Sequence, residues 1–116
     1  MNNYNTFALK PLRILIIDDH IMFLEGLAAV LEQTTQWQIV AQATSGEEGV
    51  KLAIQHRPDF VILDISMPGM GGVEAARLIR RHVPEINIIA ISMHDDFHHV
   101  EQMFEAGAKG YILKNR

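Results

Sequence analysis

Cysteine is absent from the chain, so a disulfide framework, a thiolate metal site and a thiol nucleophile are excluded, and the composition suits a reducing compartment. A basic excess is absent as well. Ten lysines and arginines against fourteen aspartates and glutamates leave a formal net charge of −4, which argues against direct nucleic-acid binding by this chain, because phosphate binding needs a basic face. Arg77, Arg80 and Arg81 do gather on one short stretch, but on a helix such a cluster reads as a solvated face. Long apolar runs are missing too. The opening "MNNYNTFALKP" lacks the apolar run of a signal peptide, and no later segment reaches bilayer-spanning length. A cytoplasmic location without a membrane partner is expected.

What is present suffices for one domain: 116 residues with 48% hydrophobic content form a single core without staples. Five short, β-branched runs recur along the chain: "RILIID" from Arg13, "WQIVAQA" from Trp37, "FVILD" from Phe60, "NIIAIS" from Asn87 and "GYILK" from Gly110. Each has strand length and strand composition. Between them apolar residues fall at helical spacing, with Phe23, Leu27, Val30 and Leu31 on one face, then Val50, Ala53 and Ile54, then Val73, Ala76 and Ile79, then Phe97, Val100 and Phe104. Ser45-Gly46-Glu47-Glu48 has the form of a capping box, and Pro58 and Pro84 stand where the second and third helices should end. Strands alternating with helices predict an α/β fold, a doubly wound parallel sheet with helices on both faces.

The polar residues fall at the C-terminal ends of these strands: Asp18 and Asp19 after the first, Asp64 after the third, Ser92 after the fourth and Lys114 after the fifth. In an open parallel sheet those ends share one edge, where ligands bind at the topological switch point. Three converging carboxylates about 5 Å apart repel by roughly 3 kcal/mol per pair at an effective dielectric near 20. With no cysteine or histidine cluster beside them, oxygen ligands point to a hard divalent cation, Mg2+, which keeps open positions for phosphate oxygens. Asp64, ending the central strand, is the candidate nucleophile toward phosphorus, and Asp18 and Asp19 are better placed to hold the metal. Lys114 would offset charge on the transferring oxygens, and Ser92 would donate to one of them.

The motifs "IIDDH", "LDISMPGMGG", "IAISMHDD" and "GAKGYILK", in this order, resemble the receiver domain of two-component response regulators. The closest likeness is to the branch that usually carries a C-terminal LuxR-type helix-turn-helix. The resemblance implies a five-stranded flavodoxin-like sheet in the order 2-1-3-4-5, a sensor histidine kinase as phosphodonor and Asp64 as phospho-acceptor. It implies that Asp19, Asp64 and the backbone carbonyl of Ser66 contact Mg2+ directly, with Asp18 acting mostly through water. Ser92 matches the switch hydroxyl, Tyr111 the aromatic that reorients with it, and Lys114 the lysine of the family pattern. The implied output is transcriptional, through a DNA-binding module outside this chain. Catalysis is expected to be limited to the domain's own phosphorylation and dephosphorylation.

Several features depart from the pattern. Gly71 stands where Asp is common before the third helix, and Ile21 and Leu24 replace the Pro and basic residue of the branch, which is expected to leave apolar surface on the first helix. Only Asn115 and Arg116 follow Lys114. A tail over 1–12 is therefore expected to precede a receiver domain over 13–116 that stops after the fifth strand, without the fifth helix that covers one face of the sheet in the family. That face, with the first helix beside it, is expected to associate with a second copy as a homodimer. His94 and His98, spaced i, i+4, are an alternative transition-metal pair, read against a polar loop with Asp95 or Asp96 as helix cap. His20 reads as a polar residue opening the first helix. The rival function is a Mg2+-dependent phosphohydrolase using the same nucleophile, although Ser66 stands where the haloacid-dehalogenase-like pattern wants a second Asp as general acid. A flavodoxin-like nucleotide binder is the other rival, but Asp18 and Asp19 would repel its phosphate without a metal.

Overall fold

β-branched runs favour strands buried on both faces, and the five sequence runs pair as one parallel sheet in the order β2-β1-β3-β4-β5. The structure is a computed structural model that describes residues 10–93 and 97–114. Its strands are β1 (Leu12–Ile17), β2 (Trp37–Ala43), β3 (Phe60–Asp64), β4 (Asn87–Ser92) and β5 (Ala108–Leu113), and its helices are α1 (Ile21–Leu31), α2 (Gly46–His56), α3 (Gly72–His82) and α4 (Phe97–Glu105). The strand order reverses direction beside β1, so β1 and β3 flank the switch point. Register pairs Ile17 with Leu63 and Asp64 with Ile91. The helix caps at 95 and 96, His94 and the tail residues 1–9 lie outside the described residues. Among those described, no helix is long and apolar enough to cross a membrane.

The core divides by sheet face. Leu15, Ile17, Val61, Leu63, Ile88 and Ala90 point to one side and pack with Ala53 of α2, Ala75, Ala76 and Ile79 of α3 and Met103 of α4. On the other side Ile14 and Ile16 meet Leu24 and Ala28 of α1. An apolar groove of about 340 Å³ remains beside α1, lined by Leu12, Ile14, Leu31, Trp37, Phe60, Ile62, Ile89 and Ile112.

Two helical faces differ from their expected stripes. Leu24, expected on the surface, is buried, whereas Ile21 is 59% exposed and Val30 equally so. The α1 sequence "IMFLEGLAAVL" is apolar nearly all round, so periodicity there does not say which face meets β1; packing decides it. In α4 the buried residue is Met103, and Phe104 is 47% exposed, because a flexible thioether fits the seam against α3 better than a rigid ring.

The helix starts follow local chemistry. Ser45 Oγ accepts from the Glu48 amide at 3.1 Å while Glu48 Oε1 accepts from the Thr44 amide at 3.1 Å, so two amides at the α2 start are satisfied reciprocally. Gly71 caps α3 without a side-chain hydrogen bond. The residue after it matters more. A Cβ on Gly72 would run into the Asp64 carbonyl and stand 2.7 Å from Ile65 Cα, so only glycine lets α3 begin directly against the chain that carries Asp64.

Candidate functional site

The end of each central strand delivers one polar group to a common edge. β1 stops at Ile17, and Asp18 folds back so that its Oδ1 accepts from the His20 amide at 2.8 Å, fixing the turn into α1. β3 carries Asp64 to the same depth, where the Ser66 amide donates to its Oδ1 at 3.3 Å. Asp18 and Asp64 are both buried, as is Ser92 at the end of β4. The Lys114 amide donates to the Ser92 carbonyl at 2.8 Å, which brings the lysine just beyond β5 back over the carboxylates.

One side-chain atom from each of Asp18, Asp19, His20 and Asp64 lies within 4.8 Å of the others. Carboxylates at that separation repel by about 3 kcal/mol per pair at an effective dielectric of about 20. The cation nearest them is the Lys114 ammonium, 3.0 Å from each Asp18 oxygen and 3.4 Å from Asp64 Oδ2. A single positive charge does not neutralise three carboxylates. Burial, and then the charge on Asp18, push the Asp64 carboxyl up to about 7, with Lys114 and the Ser66 amide acting in the opposite direction. Asp19 Oδ1 is buried and has no hydrogen-bond partner, and Asp18 Oδ2 has the Lys114 ion pair but no hydrogen bond. Unsatisfied carboxylate oxygens facing a common point are what a hard divalent cation requires, so the residues fit one.

Ser92 faces a different neighbour. Its hydroxyl donates to the Met93 carbonyl at 2.7 Å, leaving its oxygen to accept from the Tyr111 hydroxyl at 3.1 Å. The direction follows from chemistry, because a serine has one proton and a carbonyl only accepts.

Of the residues singled out in the sequence, Asp18, Asp19, Asp64 and Lys114 converge, Ser66 adjoins Asp64 through its amide, and Ser92 and Tyr111 form a linked pair beside them. Two residues at this edge were not anticipated as part of the site. His20 Nδ1 lies 2.5 Å from Lys114 Nζ, and the Phe23 ring centroid lies 5.1 Å from the same nitrogen. The available signal was their i, i+3 spacing, which puts both on one face of α1 directly after the acidic pair.

The five-stranded parallel sheet in the order β2-β1-β3-β4-β5, with its acidic edge, is the fold of a flavodoxin-like receiver domain, and the comparisons with known proteins agree. Residues 14–116 match the family model described as the response regulator receiver domain. The chain is 38% identical over 105 residues to the transcriptional regulatory protein DegU of Brevibacillus brevis, covering 90% of this chain and 44% of that protein. It is 41% identical over 103 residues to LiaR of Bacillus subtilis, covering 89% and 49%. A LuxR-family two-component response regulator from Aurantimonas sp. SI85-9A1 superposes with a TM-score of 0.84 at 35% identity, covering 90% of this chain and 75% of that one. The chain belongs to the response regulator receiver domain family, among receivers of LuxR-family response regulators. It spans about half the length of the regulators DegU and LiaR.

Proposed function

We propose that this domain accepts a phosphoryl group on Asp64 from the phosphohistidine of a sensor kinase and converts it into a change of surface that controls a transcriptional output. The observation that supports this most is a buried Asp64 at the end of the central strand, facing two further carboxylates and one lysine. An Asp64 oxygen attacks phosphorus, the bond from phosphorus to the donor nitrogen breaks, and the electron pair leaves with the imidazole. Asp18, Asp19, Asp64 and the Ser66 carbonyl would hold Mg2+, which supplies positive charge to the phosphoryl oxygens when bound. Asp18 holds the Lys114 ammonium in reach of the same oxygens, and the Ser66 amide orients the nucleophile.

The readout starts from the Ser92 hydroxyl. A phosphoryl oxygen is a better acceptor than the Met93 carbonyl, so the hydroxyl turns toward it and Tyr111 loses the geometry of its present bond. A bias of about 1 to 3 kcal/mol between two arrangements is enough for such a switch. The relatives named as transcriptional regulators extend well beyond the matched segment, which supports an output module as the partner that reads the change.

Incubation with acetyl phosphate and Mg2+, followed by intact mass measurement, tests the reading. The wild type gains one phosphoryl mass that is lost when the metal is chelated beforehand, and Asp64→Asn gains none. Equal labelling of both proteins, or none in the wild type, overturns it.

A further inference from the structure

Lys114 is held from a side that the acidic residues do not explain. An ammonium has three protons and no lone pair, so its close contact with His20 Nδ1 requires the imidazole nitrogen to accept, with the ring proton on Nε2. The other two protons go to Asp18 at 3.0 Å and, more distantly, to Asp64 at 3.4 Å. The face of Phe23 closes the remaining side at 5.1 Å. The Lys114 side chain is only 5% exposed, while that of His20 is 58% exposed and lies over it. His20 is the N-cap of α1, yet its side chain makes no capping hydrogen bond. Its backbone amide is the group that Asp18 fixes, so the acidic residue that binds the ammonium also sets the position of the imidazole.

We infer that His20, supported by Phe23, is a positioning residue that draws the Lys114 ammonium toward α1 and keeps it from closing on the nucleophile Asp64. Without the imidazole acceptor, the third proton has no partner on that side. The ammonium then shortens its long contact to Asp64 and occupies the oxygen that must attack phosphorus. This rests on the phosphoryl-transfer reading for its kinetic consequence, but not for its geometry.

Two measurements on the whole chain test it. With acetyl phosphate and Mg2+ saturating, His20→Ala takes up phosphoryl mass about five-fold more slowly than wild type, the equivalent of one hydrogen bond, and His20→Asn, which keeps an acceptor oxygen, restores most of the rate. Unchanged uptake in His20→Ala, or slowing that His20→Asn does not rescue, overturns the inference. The second measurement needs no phosphorylation. Trace acetylation with N-hydroxysuccinimidyl acetate, read by peptide mass with exposed Lys51 as internal reference, modifies Lys114 several-fold faster in His20→Ala than in wild type. Equal Lys114 modification in the two proteins overturns the inference. If wild type takes up no phosphoryl mass, the proposed function fails, and the acetylation result alone decides for or against the His20 contact.

Discussion

Asp64 sits in a pocket that disfavours its charge, with burial first and Asp18 second raising its carboxyl to about 7. The folded-state value lies above that of an unfolded aspartate, so between about pH 4 and pH 7 the native state binds more protons than the unfolded chain, and stability falls as pH rises through that window. Below the window both states are protonated and nothing is lost. Above it the full penalty is present. Asp64→Asn, which cannot ionise, is therefore more stable than wild type in metal-free buffer above pH 7, by an amount on the order of a few kcal/mol, and the advantage shrinks toward pH 4. Urea midpoints at the two ends of the range measure this. A difference that does not change with pH contradicts it. The same residue illustrates how legible the site was: a carboxylate ending an apolar strand stands out in the sequence, whereas the contact from His20 to Lys114 joins positions 94 apart and has no local signature.

At the scale of elements, the turn from α4 into β5 depends on one glycine and one arginine. Gly107 has φ +115, and a Cβ there would collide with the Arg80 guanidinium, whose Nη1 donates to the Gly107 carbonyl at 3.2 Å. This link ties α3 to the turn that leads to Tyr111 and Lys114. Gly107→Ala strains both the backbone and the arginine and lowers stability by at least about 1 to 2 kcal/mol, readable as a reduced urea midpoint. A midpoint within error of wild type contradicts that account. The elements themselves were readable because their signals are local: β-branched runs for strands buried on both faces, a Ser-x-x-Glu box for α2, prolines beyond α2 and α3. Which face of α1 turns inward was not readable, since Ile21, Leu24 and Val30 are equally apolar and only Leu24 meets Ile14 and Ile16. The Met103 side of α4 was missed for a related reason, because the adjacent Phe104 carries the stronger apolar signal.

At the scale of the whole molecule, the sheet gathers charge at one edge and leaves the opposite sheet face partly covered. The strand order brings Asp18, Asp19 and Asp64 together from β1 and β3, and their mutual repulsion opposes folding wherever no cation offsets it. Mg2+ that binds only the folded chain therefore raises the melting temperature, with a stabilisation of about 2.7 kcal/mol when the ion is at 100 times its dissociation constant. Asp19→Asn, which removes one negative charge from this carboxylate cluster, loses most of this increase while remaining folded. An equal rise in both proteins contradicts a site built on these carboxylates. In the proposed function the strand-end Asp64, and not the paired aspartates beside it, carries the phosphoryl group. Borohydride reduction of the phosphorylated domain converts an aspartyl phosphate to homoserine, and peptide sequencing by mass spectrometry then locates it. Homoserine at position 64 alone is the expected result; homoserine at position 18 or 19, or at none of the three, rules out Asp64 as the acceptor.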